Sequence, residues 1–131
     1  MSVNLSAILA ATLASYLLGS LWYLMLGAAW RTAVGWTETV PPYRPAAFEL
    51  AIAFICQLIL AIALSGLMAH MGGASVRTWI ITAVAAWAGF ILPTLTTNMI
   101  FQRRNRALIW QDGLHWLLIL ATQATVLGAM S

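Results

Sequence analysis

The sequence predicts an all-α integral membrane protein, a four-helix transmembrane bundle, and three observations predict it. Of the 131 residues, 63% are hydrophobic and only 7% charged, against about a quarter charged in soluble domains. Four stretches, residues 5–26, 48–71, 78–101 and 109–130, each supply the roughly 20 apolar residues that a helix rising 1.5 Å per residue needs to cross a hydrocarbon core of about 30 Å. None alternates polar and apolar residues as a barrel strand does, and in lipid only helices and closed barrels pair every backbone N–H and C=O. The spans occupy most of residues 1–131. A single transmembrane domain is expected, with no separate soluble one.

The first stretch follows a segment without Lys or Arg and is longer than the 7–15-residue core of a signal peptide, so it reads as a retained span. After it, residues 28–34 predict a short interfacial helix that Gly35 stops. Pro41, Pro42 and Pro45 then forbid helix until the second span begins. Residues 71–76 make a tight turn around Gly72 and Gly73. In the third span Pro93 removes a backbone donor and crowds the carbonyl four residues earlier, which predicts a kink near Gly89 with threonine hydroxyls on the freed groups. Residues 102–106 form a short basic connection into the fourth span.

All six basic residues are arginines, and with three acids they leave a net charge of +3. Sparse arginines between apolar spans are topology signals, so no nucleic-acid partner is expected. Arg31, Arg44, Arg103, Arg104 and Arg106 fall in the first and third connections, and only Arg77 on the opposite side. Short basic loops stay in the cytoplasm. That places both termini outside the cytoplasm, in a multi-pass protein of the inner (plasma) membrane. Trp22, Tyr23, Trp30, Trp36 and Trp110 then gather at the cytoplasmic interface and Trp79 at the outer one. Cys56 is the lone cysteine, which excludes an internal disulfide.

Helices in lipid associate through small residues and polar contacts. Two stripes at four-residue spacing fit: Ala7, Ala11, Ser15 and Gly19 on the first helix, and Gln57, Ala61, Ser65 and Ala69 on the second. Both read as contacts within one bundle; the alternative gives one of them to a subunit interface. The first and third spans also share a glycine followed by aromatics, Gly19, Trp22 and Tyr23 against Gly89 and Phe90, a short match of the kind a duplicated hairpin leaves.

Gly19, Leu21, Trp22, Tyr23, Trp30, Gly35, Gly89, Phe90, Pro93, Asp112 and Gly113 occur in an order that resembles the bacterial membrane-protein family called domain of unknown function 1761, whose members end the first span with G-x-L-W-Y. The resemblance covers nearly the whole chain. It implies four helices and supplies no activity, and the chain departs from it at His115 and Trp116, where a Tyr is expected.

Ionisable groups inside spans are costly and default to functional candidates. Glu49 and Asp112 lie near the starts of the second and fourth spans, where a helix N-terminus favours an acid; Arg103, Arg104 or Arg106 can balance Asp112. His70 and His115 lie at different depths, roughly 20 Å apart at 1.5 Å per residue. They cannot share a metal, and no metal or other cofactor is expected. Pro93 to Asn98 is the most polar part of any span, and Asn98 lies near the depth of His115, Glu49 and Asp112, so these four form the candidate ligand site, a polar pocket facing the cytoplasm. No nucleophile elbow, phosphate loop or catalytic dyad occurs at recognisable spacing. The sequence thus predicts a non-enzymatic membrane protein surrounded by lipid and acting through helix packing, as a homo-oligomer or an accessory subunit. The alternative is a transporter or channel with a path lined by Asn98, Asp112 and Gln123; an enzyme acting on a lipid-soluble substrate is the third class.

Overall fold

The computed structural model describes residues 4–36, 45–72 and 75–131, all of them in helices or short turns. The elements are α1 (Leu5–Val34), α2 (Ala47–Met71), α3 (Val76–Ala86), a π-helical turn (Trp87–Ile91), α4 (Leu92–Phe101) and α5 (Ala107–Met130). With α3, the π turn and α4 taken as one continuous helix, four helices are long and apolar enough to cross a membrane. Glu38, Pro41, Pro42, Tyr43, Arg44 and Gly73 lie outside the described residues.

Helix starts follow from their caps. Asn4 accepts the Ala7 N–H through Oδ1 at 3.1 Å, Ser75 accepts that of Thr78 at 3.2 Å, and Asn105 accepts that of Ala107 at 2.9 Å. Each bond satisfies one of the donors a helix leaves unpaired at its N-terminus. The first span and the expected interfacial helix prove to be one 30-residue helix, because nothing between Leu26 and Ala28 breaks it. At 1.5 Å per residue α1 is about 45 Å long, well beyond a 30 Å core. Gly35 ends it with φ +93°, the Gly35 and Trp36 N–H groups donating to the Thr32 and Arg31 carbonyls at 3.1 and 2.9 Å. That left-handed terminus suits a residue without Cβ.

A π turn lies where the kink near Gly89 is expected, the Leu92 N–H reaching back five residues to the Trp87 carbonyl. Such bulges accommodate a residue that the α-helical ladder cannot. Thr94 Oγ1 donates to the Phe90 carbonyl at 2.6 Å, one residue beyond the Gly89 carbonyl to which Pro93 has no N–H to give.

The four spans do not surround a common axis equally. α5 touches every other helix, α1 packs along both α5 and α2, and α3 lies on α5, whereas α2 barely meets α3. The apolar core, with Ile8, Ala11, Ala61, Met68, Ala83 and Ala124, sits toward the end where the termini meet. There Asn4 Nδ2 donates to the Met130 carbonyl at 3.1 Å, so both ends of the chain lie on one side.

All four residues of the first predicted stripe, Ala7, Ala11, Ser15 and Gly19, are buried. The second stripe holds only at its start. Gln57 and Ala61 are buried, but the face continues through Leu64 and Met68; Ser65 is half-buried and Ala69 exposed. A strict spacing of four turns about 40° per step on a helix of 3.6 residues per turn, so Ala69 has rotated out of the face that Gln57 begins. Trp79, expected at the outer interface, is buried against α5: a Cβ on Gly128 would lie 2.9 Å from its Cδ1. The two glycines of the suggested repeat stand in different surroundings: a Cβ on Gly89 would meet nothing within 4 Å, while one on Gly19 would meet Ile119 and His115.

Candidate functional site

α1 and α5 meet along two ridges of four-residue spacing. On α5 the ridge is Gln111, His115, Ile119, Gln123 and Leu127, every one buried. Opposite it run Ala7, Ala11, Ser15 and Gly19 of α1. Interdigitated ridges of this spacing are a common way for helices to pack. Absence of a side chain at Gly19 permits the approach: a Cβ there would fall 2.7 Å from Ile119 Cδ1 and 2.8 Å from His115 Nε2.

Beyond Gly19, toward the loop end, the seam becomes polar and aromatic. Tyr23 Oη donates to Asp112 Oδ1 at 2.7 Å. Trp22 Nε1 donates to the Gln111 carbonyl at 3.1 Å, while from the third span Trp87 Nε1 donates to the Gly113 carbonyl at 2.8 Å. Two indoles therefore clamp one turn of α5 from opposite neighbours. The Tyr23 ring lies 4.6 Å from that of His115, and edge-to-face contacts at 5.6 and 5.4 Å continue the aromatic series through Trp30 to Trp36. Glycine, tryptophan and tyrosine of G-x-L-W-Y thus all address α5; Leu21, half exposed, does not.

A second polar cluster sits deeper. Ser15 Oγ lies 2.8 Å from Gln57 Oε1, and Gln123 Nε2 donates to Ser15 Oγ at 3.1 Å and to the Gln57 carbonyl at 2.9 Å. Three helices are joined by side chains that are almost wholly buried. In lipid each such interhelical bond is worth about 0.6 kcal/mol on average.

Only two of the four predicted ligand residues come together. Asp112 and His115 share the α5 face beside Tyr23. Asn98 is exposed on α4, and Glu49 is exposed in the first turn of α2, where Oε2 accepts the Ala46 N–H at 3.1 Å. Asp112 does not begin its helix either: α5 starts at Ala107, five residues earlier. A single path through Asn98, Asp112 and Gln123 is not formed, since Asn98 is exposed and Gln123 is enclosed in the deeper cluster. His70 Nδ1 lies 2.9 Å from the Gly66 carbonyl, the local hydrogen bond expected of a histidine near a helix end.

Gln111 escaped the sequence reading. Its signal was present: Gln111, His115 and Gln123 repeat at multiples of four in an apolar span, a polar series that must face protein. Trp22 and Tyr23 were read as interface anchors, because a sequence does not show that their polar atoms reach across to another helix.

Residues 6–128 match the model of a family described as Protein of unknown function (DUF1761). No curated protein matches the chain. No solved structure matches it either.

Proposed function

Because the chain belongs to the DUF1761 family, whose function is unknown, we propose its role from the geometry: it is a non-enzymatic membrane protein that acts through its helix surfaces, as a homo-oligomer in preference to an accessory subunit. The observation that carries this reading is the division of its packing residues. Trp22, Tyr23, Trp87 and Gln123 are each hydrogen-bonded to a neighbouring helix of the same chain, which occupies them in architecture. Small residues of α2, by contrast, are turned outward: Gly66 has nothing within 4 Å of a built Cβ, and Ala63 and Ala69 are exposed. A second copy of α2 meeting this side would gain the close backbone approach that small residues allow in lipid.

Cys56 is exposed on α2 and gives a direct test. Oxidation in native membranes should produce a disulfide-linked dimer that Cys56→Ser abolishes and Gly66→Leu diminishes. A monomeric mass in both detergent and lipid nanodiscs, with no Cys56 disulfide, would overturn the homo-oligomer. In this proposal the basic first and third connections face the cytoplasm of a bacterial inner membrane and both termini face away. A reporter fused after Ser131 should then behave as extracytoplasmic; cytoplasmic activity would reverse the orientation.

A further inference from the structure

We propose that the α1–α5 seam holds a small hydrogen-bond donor, a water molecule or an ammonium ion, between Gln111 and His115. Gln111 Oε1 and His115 Nδ1 are buried and have no hydrogen-bond partner among the described residues. Both residues are more than nine-tenths buried, at 3% and 6% exposure. They stand one turn apart on the same ridge, where side chains four apart are neighbours at about 5–6 Å between Cβ atoms. A single small molecule can therefore reach both.

Gln111 Oε1 is an acceptor, and so is His115 Nδ1 in the tautomer protonated at Nε2; among the described residues, three nearby donors are already engaged. The Tyr23 hydroxyl hydrogen is spent on Asp112, the Trp22 N–H on the Gln111 carbonyl and the Trp87 N–H on the Gly113 carbonyl. Buried acceptors without partners are rare, and those found usually hold an ordered water or another ligand. Asp112, next to Gln111 in the chain and about 60° from His115 around α5, accepts a hydrogen bond from a neutral group, the Tyr23 hydroxyl. Its carboxylate makes the neighbourhood favourable to a donor, charged or neutral. Only half-buried, it also marks the side from which the molecule enters. This inference is independent of the oligomeric state.

Removing an acceptor has opposite consequences in the two cases. If Gln111 Oε1 is unpaired, Gln111→Met relieves a buried polar atom and leaves the thermal midpoint unchanged or raised. With a bound donor, the variant strands that donor and lowers the midpoint by about 4 °C, and His115→Phe does the same. Ammonium chloride against an equal concentration of sodium chloride separates the sources. A higher wild-type midpoint in ammonium, lost in Gln111→Met, identifies ammonium; equal midpoints with a destabilised variant identify water. Should either variant fail to fold, the wild type in bilayers supplies the decision by solid-state NMR. Magnetisation should pass from mobile water or ammonium protons to the His115 ring nitrogens, and a resolved His115 signal without that transfer overturns the proposal, as does a Gln111→Met protein at least as stable as the wild type.

Discussion

The two ends of the α1–α5 seam are built differently. Near the termini it is small and apolar: Ala7 and Ala11 on α1, with Ala124 and Leu127 on α5, belong to one buried cluster. Toward the loops it is directional, with Trp22 and Tyr23 hydrogen-bonded to Gln111 and Asp112. In lipid neither end is driven together by the hydrophobic effect, so close contact and polar bonds do the work. A displacement of α5 by one turn would still set apolar residues against apolar residues at the terminal end. At the loop end it would break every hydrogen bond. The apolar end thus supplies close packing, and the polar end fixes which packing is adopted.

The largest expected effects come from filling two closely packed glycines, Gly128 at the terminal end, where α5 meets α3, and Gly19 toward the loop end, where α1 meets α5. A Cβ on Gly128 would meet the Val76 backbone at 3.0 Å as well as Trp79, whereas one on Gly19 would meet the side-chain atoms Ile119 Cδ1 and His115 Nε2. Backbone cannot swing aside as side-chain tips can. Gly128→Ala should therefore cost about 3 kcal/mol and Gly19→Ala about 1–2 kcal/mol, within the range of overpacked cores. Denaturation in detergent measures both. A larger loss from Gly19→Ala would mean that the polar end is the less yielding of the two.

Smaller effects should follow from removing single polar contacts. Tyr23→Phe deletes a bond to a carboxylate, a class worth about 1.5–3 kcal/mol. Gln123→Met deletes two neutral bonds of the deeper cluster, together about 1 kcal/mol. The ranking separates the ends further: if Tyr23→Phe is no more harmful than Gln123→Met, Asp112 has another donor able to replace the phenol, and the loop end is not held by the tyrosine.

Length and hydropathy made the four helices legible, and the α1 stripe was legible because its four small residues all face protein. Spacing alone did not reveal how far each stripe would continue. On α2 the buried face passes from Ala61 to Leu64 and Met68, large residues that carry no small-residue signal. Asp112 and His115 were found because ionisable groups stand out in a span. Their partners were not, since depth along a helix axis says nothing about which way Asn98 or Glu49 faces. Pro93 marks the irregular part of the third span, but not that Trp87 at the start of the π turn reaches α5 through its indole.

The turns at the two ends also differ, and the smallest expected effect tests that difference. At the terminal end the left-handed position after α2 is Gly72, with φ +67°; at the loop end the corresponding position after α4 is Arg103, with φ +54°. The Gly72 N–H donates to the Met68 carbonyl at 3.1 Å, and at the other end the Arg103 and Arg104 N–H groups donate to the Ile100 and Met99 carbonyls at 3.1 and 3.0 Å. An L-residue in this conformation carries a penalty of roughly 1–2 kcal/mol that glycine avoids. Arg103→Gly also loosens the unfolded chain, which offsets about 0.4–1 kcal/mol of that gain. A net rise of about 0.5 kcal/mol is expected, while Arg104→Gln, which removes the same charge outside the left-handed position, should give none. If the two variants behave alike, charge rather than backbone conformation sets the cost of this turn; if only Arg103→Gly gains, the loop end retains an arginine where glycine would be more stable, as a loop whose positive charge sets topology requires.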